Sequence, residues 1–358
     1  MKGRVLIAGF TTRHVVQSAW KAGYTVCAVD HFCDLDLPWY TEDRLKFEEL
    51  EDLPDRIMEM ARRHRADWFI PTSGAETFGP PVPLAGTDPR TAARLLDKLE
   101  VQRFFEREGI PAPPLAAEDD FPYVVKPRIG AGGWRNAIIR SRDDLDRWYR
   151  ESEGAEPLLQ KQVGGVPASV SCIADGHHAV AIAVNEQLLR GGDAAPFGFT
   201  GSVTPLDHPL AGRMRDLAVR AVAGSGCVGS AGVDFVLGED AIAIEVNPRF
   251  QATVDTVEAA SGLSLFSLHL DACRGMLPAP VPEPGRCAVR RILFADRDLV
   301  LSEDLSRFAP RVADIPWPGT SFEEGQAVVS LFGTGPDREA ALRDLASTLN
   351  KLERYMRG

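Results

Sequence analysis

AGVDFVLGEDAIAIEVNPR, residues Ala231–Arg249, reads as a short antiparallel hairpin with acids at chosen places. Val233 to Leu237 and Ala241 to Val246 are β-prone runs, and Gly238-Glu239-Asp240 is turn chemistry between them. A turn centred between Glu239 and Asp240 sets Asp234 opposite Glu245. Directly opposed side chains in such a ladder lie about 4.5–5.5 Å apart at Cβ, and like charges there repel. A cation between them is therefore expected. Asn247, two residues beyond Glu245, falls on the same face, and the three side chains together offer oxygen ligands of the kind that suit Mg²⁺. Arg249 ends the stretch beside them, and a guanidinium next to a carboxylate-bound cation is suited to holding a polyphosphate. Glu245 and Asn247 interrupt an otherwise apolar strand, which argues against a merely solvated hairpin.

Upstream, Tyr123-Val124-Val125-Lys126-Pro127-Arg128 reads as a strand. The glycine-rich loop Ile129-Gly130-Ala131-Gly132-Gly133 joins it to a second apolar run, Asn136 to Ile139. A Walker loop must lead into a helix and carry Gly-Lys-Ser/Thr, and this one does neither. It reads as a hairpin flap whose freed N–H groups can cradle phosphate, with Lys126 as a fixed positive charge. Ser141 and Asp144 form a capping box at the start of the next helix.

The D-F…E-V-N-P-R pattern, preceded in the same order by V-V-K-P and a glycine-rich loop, resembles the signature of the ATP-grasp superfamily, whose members activate a carboxylate with ATP. The resemblance implies an α/β (α+β) ATP-grasp fold with an N-terminal Rossmann-like domain. On that basis Asp234, Glu245 and Asn247 would hold Mg²⁺, with Mn²⁺ as the alternative ion, and Arg249 and Lys126 would act on the transferred phosphoryl group. ATP would be held by Lys98, Lys126, Gly130, Gly132 and Gly133, and by the hinge Gln160-Lys161-Gln162-Val163, mostly through its backbone. Lys161 stands at the hinge where the superfamily commonly has an acid, and Ser169 and Ser171 stand on the next strand where an acid is often found. The means of holding the ribose is therefore left open.

The 358 residues suffice for two or three domains. Expected divisions are a Rossmann-like α/β domain over 1–88, a nucleotide-binding domain over 89–280 with a flap at about 115–163, and a C-terminal lobe over 281–358. In the first of these, Arg4 to Phe10, His14 to Ala22 and Tyr24 to Asp30 make a βαβ opening. Asp30 sits where a dinucleotide fold places its ribose-binding acid, but the turn Gly9-Phe10-Thr11-Thr12-Arg13-His14 lacks the required glycines. Arg13 and Glu76, in loops at the same edge, are candidate substrate contacts or ordinary loop charges. Asp88 to Gly109 reads as one helix carrying Lys98, and Ile110 to Pro114 as a linker. Phe197 to Ser202 reads as a surface loop or a lid, Gln251 to Thr253 as pocket lining, and Arg338 to Met356 as an amphipathic helix.

Apolar content of 44% and charged content of 25% are those of an ordinary globular chain. A net charge of −11 argues against bulk binding to nucleic acid or anionic membrane. Six scattered cysteines without a CxxC pair read as reduced thiols in a cytoplasmic protein, and no run approaches a membrane span. The expected activity is an ATP- and Mg²⁺-dependent ligase of carbon–nitrogen type, with small-molecule carboxylate and amine substrates. The pattern PTSGAE…VVKPRIGAGG…GVDFVL…EVNPRF is similar to ligases of methanofuran and tetrahydromethanopterin biosynthesis, tyramine–glutamate ligase among them, which implies glutamate ligation in one-carbon cofactor biosynthesis. A non-catalytic ATP-binding regulator is the alternative, a nicotinamide-dependent oxidoreductase a third reading, and homo-oligomerisation stays open.

Overall fold

The computed structural model describes residues 2–79, 82–130, 133, 135–191, 195–279 and 281–356. The chain opens with β1 (Arg4–Gly9), α1 (Arg13–Lys21), β2 (Thr25–Asp30), β3 (Asp43–Lys46), α2 (Leu53–Arg63) and β4 (Trp68–Pro71). These strands form a parallel sheet in the order β3-β2-β1-β4. The near-continuous apolar runs of β1, β2 and β4 fit that role, because helices cover both faces of such a sheet, while the polar β3 forms its exposed edge.

Next come α3 (Pro89–Leu96) and α4 (Lys98–Arg107). The single helix expected over 88–109 is thus two, because Asp97 leaves helical geometry and caps the second, accepting hydrogen bonds from the N–H groups of Leu99 and Glu100. β5 (Tyr123–Pro127), β6 (Ala137–Ile139), α5 (Arg142–Glu151) and β7 (Pro157–Lys161) then build a small sheet, order β6-β5-β7, with α5 packed on it through Leu145 and Trp148. The Ser141 hydroxyl accepts from the Asp144 N–H at 3.3 Å, capping α5.

β8 (Val166–Asp175), β9 (Ala179–Gly191), β10 (Ala195–Thr204), α6 (Ala211–Ser225), β11 (Val228–Leu237), β12 (Ala241–Asn247), α7 (Val254–Ser261) and α8 (Leu265–Ala272) follow. The loop expected at Phe197 to Ser202 is part of β10. It is held between β9 and a later strand, and a register shift between Phe199 and Gly201 absorbs its irregular glycine-rich sequence. After β13 (Cys287–Phe294), β14 (Leu299–Leu301), β15 (Val312–Ala313), β16 (Thr320–Phe322) and β17 (Ala327–Gly335), the chain closes with α9 (Arg338–Met356). Strands from the 281–358 segment continue the central sheet, whose order is β12-β11-β8-β9-β10-β13-β17-β15, antiparallel throughout.

One core lies between α6 and β8, β9 and β11. On the opposite face, Phe250, Phe266 and Leu270 pack with Val5, Ile7, Val15 and Val16, which docks the N-terminal sheet and α1 against α7 and α8. Full burial of one such side chain stabilises by about 1.5–3 kcal/mol, so this shared core holds the two parts firmly. Among the described residues, no helix is long and apolar enough to cross a membrane.

Candidate active site

The hairpin of β11 and β12 faces a cavity of about 560 Å³. Asp234 pairs with Glu245 as expected, but not through the expected turn: the turn centres on Glu239, pairing Leu237 with Ala241 and Phe235 with Ala243, and a slip of one with Ile244 as the extra residue of a bulge then brings Glu245 opposite Asp234. The bulge changes which positions are buried. Ala241 and Ala243 point to the core before it and Val246 after it, so Ile244 and Glu245, though adjacent, both line the cavity.

Asp234, Glu245 and Asn247 converge, with the Asn247 amide donating to both carboxylates at 3.3 Å. Gln187 on β9 donates to Asp234 at 2.9 Å and Gln251 does so at 3.3 Å. Burial first, and then the Glu245 charge, push the Asp234 carboxyl well above the usual carboxylate range. Burial also opposes ionisation of Glu245, but the positive charges of Lys98, Lys126 and Arg249 and a hydrogen bond from Asp234 hold it below its ordinary value. The opposed pair thus tends to retain one proton, which a divalent cation would displace. The donor set of two carboxylates and one amide oxygen fits Mg²⁺.

Lys126 on β5 is 8% exposed, lines the cavity and makes no hydrogen bond among the described residues. Burial lowers its pKa to about 8, partly offset by Glu245. A buried, unpaired ammonium facing a cavity is an anion site. Lys98, the first residue of α4, is lowered by burial too and donates to the Gly130 carbonyl at 2.6 Å, so it steadies the start of the flap loop. Gly133 adopts φ +73° against β10, where a Cβ would come 2.6 Å from the Phe197 carbonyl oxygen. Gly132 lies outside the described residues. The Arg249 Nε–H donates to Glu76 Oε1 at 2.6 Å and Nη1 to the Phe250 carbonyl, leaving Nη2 without a hydrogen bond among the described residues. Glu76 is thereby a holder of Arg249, reached through the loop after β4.

At the hinge, Gln160, Lys161, Gln162 and Val163 all line the cavity. The Lys161 ammonium pairs with Asp120 at 2.8 Å, and its backbone N–H donates to Pro114. Gln160 is 3% exposed; its amide donates to Gln102 at 2.8 Å, while its Oε1 is buried with no partner. Burying an acceptor unpaired costs about 1–3 kcal/mol, and an exocyclic amine such as that of adenine would satisfy it. Ser169 and Ser171 instead join a buried network with Asn185, Thr253 and Gln251.

Arg13, open between a substrate contact and a loop charge, and Asp30, at the place of a dinucleotide fold's ribose-binding acid, have other roles. Arg13 is buried and fully engaged, donating to Asp255 at 2.9 and 2.7 Å and to Asp314 at 2.8 Å. Asp30 accepts from Thr12 N–H, Thr12 Oγ, Phe32 N–H and Cys33 N–H, so its oxygens cap a loop and are not offered to a ribose. Gln187 and His14 line the cavity without any signal in the sequence, since only the sheet order brings β9 and α1 to it.

Residues 95–253 match the family described as an ATP-grasp domain. The structure aligns over 97% of its length with 91% of a biotin carboxylase–β,γ-ATP complex from Campylobacter jejuni, TM-score 0.79 at 16% identity. The chain carries an ATP-grasp fold. Phosphoribosylamine–glycine ligase from Thermotoga maritima aligns with TM-score 0.74 and 19% identity over 97% of this chain and 96% of that one. By sequence, the chain is 28% identical over 329 residues to the carbamoyl phosphate synthase large chain of Rubrobacter xylanophilus, 80% of this chain and 30% of that protein. To its counterpart from Pseudomonas syringae pv. tomato it is 30% identical over 259 residues, 63% and 23% respectively. The chain thus spans less than a third of the length of these two relatives. These relatives lend no support to the methanofuran-linked assignment.

Proposed function

We propose that this ATP-grasp chain is an ATP- and Mg²⁺-dependent ligase that activates a small-molecule carboxylate and joins it to an amine. The observation that carries the reading is Lys126, a buried cation without a partner among the described residues, facing the same cavity as two opposed carboxylates. Asp234, Glu245 and Asn247 would hold the metal, which when bound neutralises phosphate charge. Lys126, with Lys98 behind it, would hold the phosphates from the flap side. The free edge of Arg249, fixed by Glu76, would follow the γ-phosphoryl group as it leaves ADP for a carboxylate oxygen. The amine nitrogen then attacks the acyl carbon; the C–N bond forms, the C–O bond to phosphate breaks, and the amine gives up a proton. Positioning and electrostatics suffice for such transfer, and no protein nucleophile is required.

Adenine recognition would fall to the Gln160–Val163 backbone and the orphan Gln160 oxygen. Glutamate ligation in one-carbon cofactor biosynthesis is the finer reading that the sequence pattern suggests, and it enters the test as one member of a pool. Incubation with ATP, Mg²⁺ and pooled carboxylates and amines, followed by mass spectrometry, should yield ADP together with a product lighter by one water than its two parents. ATP binding without ADP from any pool would overturn the ligase and leave a nucleotide-binding regulator.

A further inference from the structure

Gln160 raises a question of polarity. It lines the cavity at the hinge, is 3% exposed, and has its Oε1 buried without a partner. A primary amide carries an acceptor oxygen and a donor NH₂ of nearly equal size on one carbon. Turned over, the same side chain would leave an NH₂ unpaired in place of the oxygen. An unpaired oxygen suits an exocyclic amine, as on adenine, whereas an unpaired NH₂ suits an exocyclic oxygen, as on hypoxanthine or guanine. Gln160 by itself does not choose between them.

The choice is made on the neighbouring helix. Gln160 Nε2–H donates to Gln102 Oε1 at 2.8 Å, and Gln102 Nε2–H donates to Glu106 Oε1, also at 2.8 Å. Gln102 and Glu106 are four positions apart on α4, so they share a face of the helix. Gln102 is buried, as are Val101, Phe104 and Phe105 of the same helix, whereas Glu106 is exposed. A carboxylate only accepts, and that sets the direction of the whole row. Glu106 takes the NH₂ of Gln102, which leaves Gln102 its oxygen for Gln160. Gln160 must meet that oxygen with its own NH₂, and its oxygen is the end left over. Reversing Gln160 would set oxygen against oxygen between two buried residues. Reversing Gln102 as well would set its oxygen against the Glu106 carboxylate.

Resting on the reading of the cavity as an ATP site, we propose that Glu106, acting through Gln102, fixes Gln160 as an acceptor and so makes it select a purine with an exocyclic amine over one with an exocyclic oxygen. Glu106 and Gln102 are positioning residues, and of the three only Gln160 meets the base. A lysine at position 106 only donates. It would take the Gln102 oxygen, turn both amides and present NH₂ to the base. A glutamate at position 160 only accepts, so it offers the amine an oxygen whichever way Gln102 is turned.

The test titrates the full chain with Mg²⁺ and either ATP or ITP, in the absence of carboxylate and amine, and reads the two dissociation constants by calorimetry. Wild type should prefer ATP. Glu106→Lys, at an exposed position, should shrink the ITP-to-ATP ratio of dissociation constants by about tenfold, the scale of one buried polar group left unpaired. The two nucleotides carry the same phosphates, so the added positive charge drops out of the ratio. In a Gln160→Glu background, where the acceptor is built in, Glu106→Lys should not shrink the ratio. A wild type without preference for ATP, a ratio unmoved by Glu106→Lys, or a ratio shrunk equally in both backgrounds would overturn the proposal. Failure to bind either nucleotide would instead overturn the ATP reading on which it rests.

Discussion

Two buried charge clusters, one lining the cavity and one outside its lining, are built on opposite principles. In the cluster of Arg13, Asp255, Asp314 and Arg290, opposite charges alternate and the carboxylates are met by guanidinium groups; Asp314 is held far below the usual carboxylate range by Arg13 and Arg290, against the cost of its burial. In the cluster of Asp234, Glu245, Lys126 and Arg249, two acids oppose each other, and among the described residues the ammonium has no hydrogen bond and one guanidinium edge is free. The first cluster is complete without a ligand, and the second is not. Buried charges cost several kcal/mol each unless paired, so an incomplete cluster is retained where a ligand completes it.

Exchanging one residue in each cluster should therefore have opposite effects. Glu245→Gln should lower ADP formation by at least about 10³-fold, roughly 4 kcal/mol of barrier, while the unfolding free energy in urea stays within about 1 kcal/mol or rises. An active, metal-dependent Glu245→Gln enzyme would break the comparison. Arg13→Met should do the reverse and cost about 3 kcal/mol or more of stability by stranding Asp255 and Asp314, visible as a lower urea midpoint.

The free Lys126 ammonium makes stability depend on pH in the absence of nucleotide. Between about pH 8, where the buried amine titrates, and 10.5, its ordinary value, the unfolded chain binds more protons than the folded one. Stability should rise across that window by on the order of 2–3 kcal/mol, on top of any other titrating groups, and the increment should vanish in Lys126→Met or with MgATP bound. Gly133→Ala sharpens the contrast at the flap. The added methyl would press on the Phe197 carbonyl in a left-handed conformation, so KM for ATP should rise several-fold with little change in Tm. The smallest effect belongs to Lys161→Ala, since an exposed pair with Asp120 is worth about 0–1 kcal/mol and adenine recognition by backbone is indifferent to it. KM for ATP should change by less than twofold.

The incomplete cluster was legible in the sequence because its parts are local. Asp234 and Glu245 flank one short turn, which puts them near each other before the bulge sets them opposite, and V-K-P next to glycines marks Lys126. The Ile244 bulge was not legible, since nothing in an alternating run says where a twisted ladder will slip. The break at Asp97 carried a signal, a capping acid three residues before Glu100, but an apolar helical period running through it masked the cap. Phe197 to Thr200 looked like a loop because its aromatics alternate with glycine and threonine, and only neighbours supplied from far away in sequence, β9 and β13, make it a strand. The complete cluster was illegible for the same reason, as its partners come from distant segments.

That distance has a consequence during synthesis. The N-terminal sheet closes within its first 71 residues, but the Arg13–Asp314 bond spans 301 positions. At about 5–20 residues per second, a nascent chain carries the unfinished Arg13 for roughly 12–50 s after its sheet is ready. Over that interval the emerging flap and hairpin must find their places while the pin that joins α1 to the last strands is still to come. A ribosome stalled just before codon 314 would therefore hold a chain with every proposed ATP and metal contact translated and α1 not yet fastened.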